Sequence, residues 1–166
     1  MSKPDSGHFN GTRGNLVSQG VLAETEYFEK NPLTVFETKV SLLKDIFSSD
    51  GNLSAQSIRE NAGTFSEKSV FVYATALHDM GYTVQVKNST RSKSGAQIIT
   101  VSNTSKDRNI SQIQVSPGGG RHGGSPYVKI STTDNGKFKI VDGTADNYKS
   151  NAKETAEIIF RRKNND

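Results

Sequence analysis

A glycine-rich loop and the short strand after it carry the residues of this chain best suited to chemistry. The stretch from Pro117 to Ser131 reads PGGGRHGGSPYVKIS, and Arg121 and His122 stand in the middle of its five glycines. Histidine can donate or accept a proton near neutral pH, and arginine can bind a phosphate oxygen with two hydrogen bonds. Glycines allow a backbone to approach a ligand closely. The stretch is therefore either a phosphodiester site or a flexible, solvated hairpin loop.

Phosphodiester cleavage needs a proton acceptor, a proton donor and cations that stabilise charge on the non-bridging oxygens. His122 is the natural acid and base, while Lys129 and Lys139 are natural electrostatic stabilisers. In metal-free ribonucleases the nucleophile is the 2′-hydroxyl of the substrate, so the protein needs none of its own. The candidate catalytic residues are His122, Lys129, Ser131, Lys139 and Tyr148, and the candidate nucleic-acid contacts are Arg121, Tyr127, Lys137 and Arg161.

A metal-dependent nuclease is the less favoured chemistry. No two histidines have the spacing of metal ligands, and the second half of the chain has no paired-acid motif. His8 lies in an irregular N-terminal stretch, and His78 lies near the end of a predicted helix, where a capping or surface role is expected. We therefore expect no metal and no cofactor, although a magnesium ion held by carboxylates stays open as an alternative.

Composition and charge favour a single domain with an anionic partner. The chain has 166 residues and no cysteine, which excludes disulfides and thiolate metal sites. Residues 1–82 hold seven Lys/Arg against ten Asp/Glu, whereas residues 83–166 hold fourteen against seven. A basic half indicates nucleic acid, although lysines also protect exposed sheet edges. No run approaches the roughly 18 apolar residues of a membrane span, so no membrane partner is expected. The first residues lack the apolar core of a signal peptide.

The spacing of apolar residues changes near Gly81 from a helical to a strand period. Residues 1–20 are predicted to be an irregular lead-in or linker, and residues 21–166 a single domain, with helices within 21–82 and a sheet within 82–162. The helices are expected at 21–30, 33–48, 52–61 and 70–80, and the strands at 82–87, 97–102, 110–116, 127–132, 137–142 and 157–162. Asp134-Asn135-Gly136 is a hairpin turn.

Helices followed by consecutive strands predict an α+β fold, with N-terminal helices packed on one face of a C-terminal antiparallel sheet. Because side chains alternate along a strand, the apolar positions of the last hairpin should face the helices. The inner residues are then Val128, Ile130, Phe138 and Ile140, and the open face carries Tyr127, Lys129, Ser131, Lys137 and Lys139.

These motifs also resemble a known group of toxins. GGGRHGGSPYVKIS, DNGKFKIVDG, a tyrosine-bearing loop and a final EIIFRR strand resemble the C-terminal toxin domains of LXG-type polymorphic toxins, which Gram-positive bacteria export by type VII secretion. The order of elements is similar to the barnase-like superfamily, which includes EndoU-type toxins. The motif-bearing resemblance covers about Pro117 to Arg162.

The resemblance implies a nuclease secreted as part of a larger toxin chain, active on RNA or DNA in the cytoplasm of a competitor cell, and blocked by a cognate immunity protein. It points to His122, Lys129 and Ser131, and further to Lys139 and Tyr148. EndoU-type enzymes use two histidines, whereas this chain offers only His8 and His78 as a second one. The implied class is therefore a single-histidine ribonuclease or a deoxyribonuclease.

Two other classes stay open. Ser54 to Tyr82 followed by two strands could form a winged helix-turn-helix that binds DNA without catalysis, with residues 70–80 as the recognition helix and residues 88–95 as the wing. That helix has only Lys68 near its start. An ADP-ribosyltransferase would need a catalytic glutamate, for which Glu154 or Glu157 is available.

Overall fold

The computed structural model describes residues 9–10, 12–25, 31–65, 69–90, 95–118, 124–148 and 153–161, and there the helices precede the main strands. The helices are α1 (Arg13–Glu24), α2 (Pro32–Lys44), α3 (Ala55–Glu60) and α4 (Val70–Asp79), with single 3-10 turns at Ala62–Phe65 and Ala145–Asn147. The strands are β1 (Phe9–Asn10), β2 (Val84–Asn88), β3 (Gln97–Val101), β4 (Ile110–Ser116), β5 (Tyr127–Thr132), β6 (Lys137–Val141) and β7 (Glu157–Phe160). None of these helices is long and apolar enough to cross a membrane.

Helix α1 lies where the sequence predicts an irregular lead-in. Its glycines indicate a loop, but Gly20 instead permits close packing of α1 against α2. A Cβ atom at Gly20 would lie 1.7 Å from Cε1 of Phe36. Leu16 on the same helix is buried in the core. Part of residues 1–20 therefore belongs to the helical layer.

Helix α2 carries the apolar stripe that the sequence predicts. It begins at Pro32, and the side-chain oxygen of Asn31 accepts a hydrogen bond from the backbone N–H of Leu33 at 3.1 Å. Proline suits this first position because its missing N–H would have had no partner in the helix. Phe36, Val40 and Leu43 are buried. Their spacing of three and four residues places them on one side of the helix.

The strands form one sheet in sequential order from β1 to β7. Each neighbouring pair from β1 to β6 is antiparallel. A row of core residues crosses the sheet in register and comprises Val86, Ile99, Ile113, Ile130 and Phe138. Residues 70–77 of α4 are all buried, and this helix contacts β2, β3 and β4. The predicted α+β fold is confirmed, and so is the burial of the four predicted inner residues, Val128, Ile130, Phe138 and Ile140.

The last strand runs parallel to its neighbour, so the sheet is mixed where the sequence predicts an antiparallel one. Phe138 pairs with Glu157, and Val141 pairs with Phe160. The chain after β6 returns to the start of that strand before β7 begins. A parallel pair requires such a crossover, and no short turn can make one. The connection, residues 142–156, supplies groups to the face opposite the helices.

Candidate functional site

The candidate site lies on the face of β5 and β6 that points away from the helices. Lys129 pairs with Lys139 across the two strands, and Ser131 pairs with Lys137. On the other side of β5, Gln114 of β4 pairs with Lys129. Residues directly opposite in an antiparallel pair project to the same face. The predicted set of polar residues therefore shares one face.

Lys139 is on this face, but it is not open to solvent as the sequence predicts. Only 3% of the residue is exposed. Its Nζ atom donates to the hydroxyl of Tyr148 at 2.8 Å and to Oε2 of Glu154 at 2.6 Å. It also lies 4.6 Å from the centroid of the Tyr127 ring. The connection between β6 and β7 thus covers Lys139, because both of its hydrogen-bond partners belong to that connection.

The pKa shifts indicate that Lys139 and Glu154 form a charged pair beside the neutral phenol of Tyr148. Burial alone would lower the pKa of Lys139, but the hydrogen bonds to Glu154 and Tyr148 and the charge of Glu154 raise it. Burial alone would raise the pKa of Glu154, but the hydrogen bond from Lys139 and its charge lower it. Burial is also the main cause that raises the pKa of Tyr148. Lys139 and Glu154 are therefore both ionised at neutral pH.

Lys129 differs from Lys139 because it has no counterion of its own among the residues that the structure describes. In the described part of the chain its ammonium makes no hydrogen bond and no ion pair. The residue is half-buried. Its pKa is lowered first by burial and then by the charges of Lys139 and Lys137, an effect that Glu154 partly offsets. A partly desolvated cation beside other cations is suited to bind an anion.

The predicted nucleic-acid contacts fall in two places. Tyr127 lies at the start of β5, where its hydroxyl accepts a hydrogen bond from Nε2 of Gln114 at 3.3 Å. Lys137 is exposed on the lysine face, the face of β5 and β6 that carries Lys129, Ser131, Lys137 and Lys139. Arg161 instead lies on the helix side of the sheet, with Nη1 3.6 Å from Oδ1 of Asp142. Arg121 and His122 fall outside the described residues.

A cleft of about 900 Å³ lies between the helices and the sheet, on the side opposite Lys129 and Lys139, and shares only Tyr127 with this site among the described residues. Pro117 and Pro126, which flank the glycine-rich loop, both line it. Gly118 has φ +89°, and a Cβ atom there would lie 2.3 Å from the carbonyl oxygen of Gly124. The two described ends of the loop, Gly118 and Gly124, therefore approach each other closely beside Pro126, which lines the cleft.

The structure also provides observations on the alternative functional classes, which are the winged helix-turn-helix, the ADP-ribosyltransferase and the metal-dependent nuclease. Helix α4 has no exposed recognition face from Val70 to Leu77, because all of those residues are buried. Glu157 forms an ion pair with Arg59 on the helix side of the sheet, and Glu154 is held by Lys139. The described residues contain no group of three or more His, Asp or Glu arranged to hold a metal ion.

Glu154 is the site residue whose ion pair with Lys139 was not predicted from the sequence. The sequence offers it only as a possible transferase glutamate. It lies in the connection before β7, 15 residues after Lys139. Strand alternation locates residues within strands, but it gives no position for a loop side chain. The lysine–glutamate pair thus had no local signal in the sequence.

No protein-family model, curated protein or solved structure matches this chain. The resemblance to LXG-type toxin domains therefore stays a prediction.

Proposed function

We propose that this chain is a metal-independent nuclease that cleaves phosphodiester bonds of RNA or DNA on the lysine face of β5 and β6. The observation that carries this proposal is Lys129, a half-buried cation that forms no ion pair with any described residue and lies directly opposite the ion-paired Lys139. A phosphate oxygen would supply the missing negative charge. Such a preorganised cation stabilises charge that develops in a transition state.

The roles of the neighbouring residues follow from their contacts. Lys139 is committed to Glu154 and Tyr148, so its part is to hold the connection in place beside Lys129 and to add positive potential. Ser131 can donate a hydrogen bond, and the exposed Lys137 opposite it can bind a further phosphate of the strand. These groups form a row along the sheet that a polynucleotide backbone could follow.

The acid–base group of the proposal is His122, with Arg121 as a phosphate ligand. Both belong to the loop whose described ends, Gly118 and Gly124, approach each other beside Pro126, the residue before Tyr127. Histidine can exchange protons at neutral pH, which the ionised Glu154 and Lys139 do poorly because their pKa values are shifted away from neutrality. We accordingly assign proton transfer to His122.

The biological context proposed is a secreted antibacterial toxin that acts in the cytoplasm of a competitor cell, together with a cognate immunity protein. Lys129 and Lys137 form no ion pair within the described part of the chain, and this supports such a partner, because an acidic protein surface could cover their charge. The same lysines would then bind either the substrate or the inhibitor. An immunity protein that covers this face would block cleavage by direct exclusion.

The first experiment mixes purified protein with RNA, duplex DNA and single-stranded DNA, each with and without EDTA. We expect cleavage of at least one substrate at a rate that EDTA leaves unchanged. Absence of cleavage of all three would overturn the proposed function. Loss of cleavage in EDTA, restored by magnesium, would contradict the metal-independent mechanism.

The second experiment tests the lysine that carries the proposal. Lys129→Met should lower the cleavage rate about 100-fold, the typical effect of removing one transition-state stabiliser. Lys87→Met is the matched control, because Lys87 lies in the same cross-strand row, about 14 Å away over three strand spacings. His122→Ala should abolish cleavage. Equal rates for the two lysine variants would place the chemistry elsewhere.

A further inference from the structure

Strand β7 forms an edge of the sheet, because β6 is its only neighbour among the described strands. The N–H of Arg161 donates to the carbonyl oxygen of Val141 on β6 at 3.0 Å. Backbone groups of successive residues in a strand point to alternate edges, so Ile159 also bonds to β6. Ile158 and Phe160 therefore direct their N–H and C=O groups outward, where no described residue pairs with them.

The side chains along this edge do not protect it against pairing with another strand. Natural edge strands commonly carry a lysine, a proline or a bulge that prevents a further strand from adding. Strand β7 contains none of these from Glu157 to Phe160 and reads EIIF. Ile158 and Phe160 are only half-buried, and both project to the side of the sheet opposite the helices. An open edge of this kind is a place where an extended segment can bind.

The edge is complementary to a second copy of itself in one antiparallel register. A two-fold axis perpendicular to the sheet at Ile159 places this residue opposite its own copy. Ile158 then lies opposite Phe160 of the second copy, and their outward backbone groups can exchange hydrogen bonds. The exposed Glu157 lies opposite the exposed Arg161 of the second copy, which brings opposite charges together. In the two neighbouring registers, Glu157 or Arg161 would lie opposite Ile159 instead.

We propose that this chain forms a symmetric dimer in which the two β7 strands pair antiparallel through their outer edges. The two seven-stranded sheets then join into one continuous sheet. Backbone direction, apolar contact and charge all select the register centred on Ile159, although each depends on a different property of the strand. A second copy supplies every one of these matching groups, so no other protein is required. The dimer does not depend on the proposed nuclease function.

The dimer keeps both lysine faces on the same side of the continuous sheet, because a two-fold axis perpendicular to a sheet does not exchange its faces. The two copies of Lys129 are then five strand spacings apart, which is about 24 Å across the sheet. For the proposed nuclease, one nucleic-acid strand could thus contact both sites.

Sedimentation equilibrium of the full wild-type chain, without nucleic acid, measures whether this dimer forms. We expect an average mass that rises from that of one chain toward that of two as the protein concentration increases over about a 100-fold range. The mass of a single chain at every concentration would overturn the inference.

Two cysteine variants test the register. The chain has no cysteine, so a single introduced thiol reports only on its own position. Ile159→Cys should give a disulfide-linked dimer under mild oxidation, because the two copies of this residue pair directly with Cα atoms about 4.5 Å apart. Ile158→Cys is the matched control, because its two copies are diagonal neighbours about 8 Å apart, too far for a disulfide. Non-reducing gels should therefore show the linked dimer for the first variant and its loss for the second.

The outcomes separate this inference from the proposed function. Equal cross-linking of the two variants, or of neither in a protein that sediments as a dimer, would overturn the pairing of β7. Ile159 packs against the core, so circular dichroism checks the fold of its variant, and the sedimentation result stands without it. A monomer that cleaves nucleic acid would overturn the dimer alone, and a dimer that cleaves none would overturn the nuclease alone.

Discussion

Replacing Glu154 by glutamine keeps the size of the side chain but removes the charge that pairs with the buried Lys139. The lysine is 3% exposed, and its Nζ lies 2.6 Å from Oε2 of Glu154. Breaking a buried ion pair from one side costs about 3 to 5 kcal/mol. Glutamine still offers a carbonyl oxygen to the ammonium, so we expect the lower end, about 3 kcal/mol. For a chain of this size that lowers Tm by roughly 6 to 12 °C.

The pH dependence of this variant follows from the two pKa shifts. The pKa of Glu154 is lowered in the fold, so its stabilising effect is present above the unfolded value near 4.5 and is lost as the pH falls through the folded value. The pKa of Lys139 is raised, so its effect is present below 10.5 and is lost as the pH rises through the folded value. The difference between wild type and Glu154→Gln should thus be largest between these limits.

The assay is thermal unfolding followed by circular dichroism from pH 3 to pH 9. Glu157→Gln is the control, because it removes an ion pair with Arg59 in which the side chains are 53% and 41% exposed, and it should change Tm much less. Lys139→Met combined with Glu154→Gln should cost less than the sum of the two single changes. A Tm for Glu154→Gln equal to that of Glu157→Gln would refute the view that this pair anchors the connection.

Two further predictions concern the layers around the site. Gly20→Ala should destabilise the fold by about 1 to 3 kcal/mol, because its Cβ would overlap the Phe36 ring. Gly14→Ala, whose Cβ would have nothing within 4 Å, should leave stability unchanged or raise it by less than about 1 kcal/mol. Urea unfolding of the two variants checks this, and equal unfolding midpoints would contradict the close packing of α1 against α2. Asn109→Ala should lower the free energy of unfolding by about 2 to 4 kcal/mol, because the buried side-chain amide of Asn109 accepts a hydrogen bond from the N–H of Leu53 and donates one to its carbonyl oxygen. A urea unfolding midpoint equal to that of wild type would contradict this prediction.

Much of the sheet could be predicted from the sequence because strand alternation is a local property. Val128 and Ile130 fall on the helix side, and Lys129 and Ser131 fall on the other, as their order in the chain predicts. The register of the last hairpin follows from its turn. A one-residue slip would move Val128 and Ile130 out of the core, so burial makes this register the stable one.

Helix α1 could not be predicted from the local sequence, because its stability depends on packing against Phe36, a residue of another helix. Gly14 and Gly20 reduce local helix propensity, and they indicate a loop in isolation. The helix is stable because Leu16 is buried and Gly20 accepts the ring of Phe36. Tertiary packing here outweighs propensity.

The α+β order, the two faces of the β5–β6 hairpin and the lysines that share one of them follow from the sequence alone. Each of these depends on the alternation of side chains over a few residues. Three other features required the folded chain: Lys139 is buried by Glu154, Lys129 keeps no counterion in the described residues, and a cleft lies between the helices and the sheet. These features arise from contacts between separate segments of the chain, and a local pattern of residue types does not determine which segments come into contact.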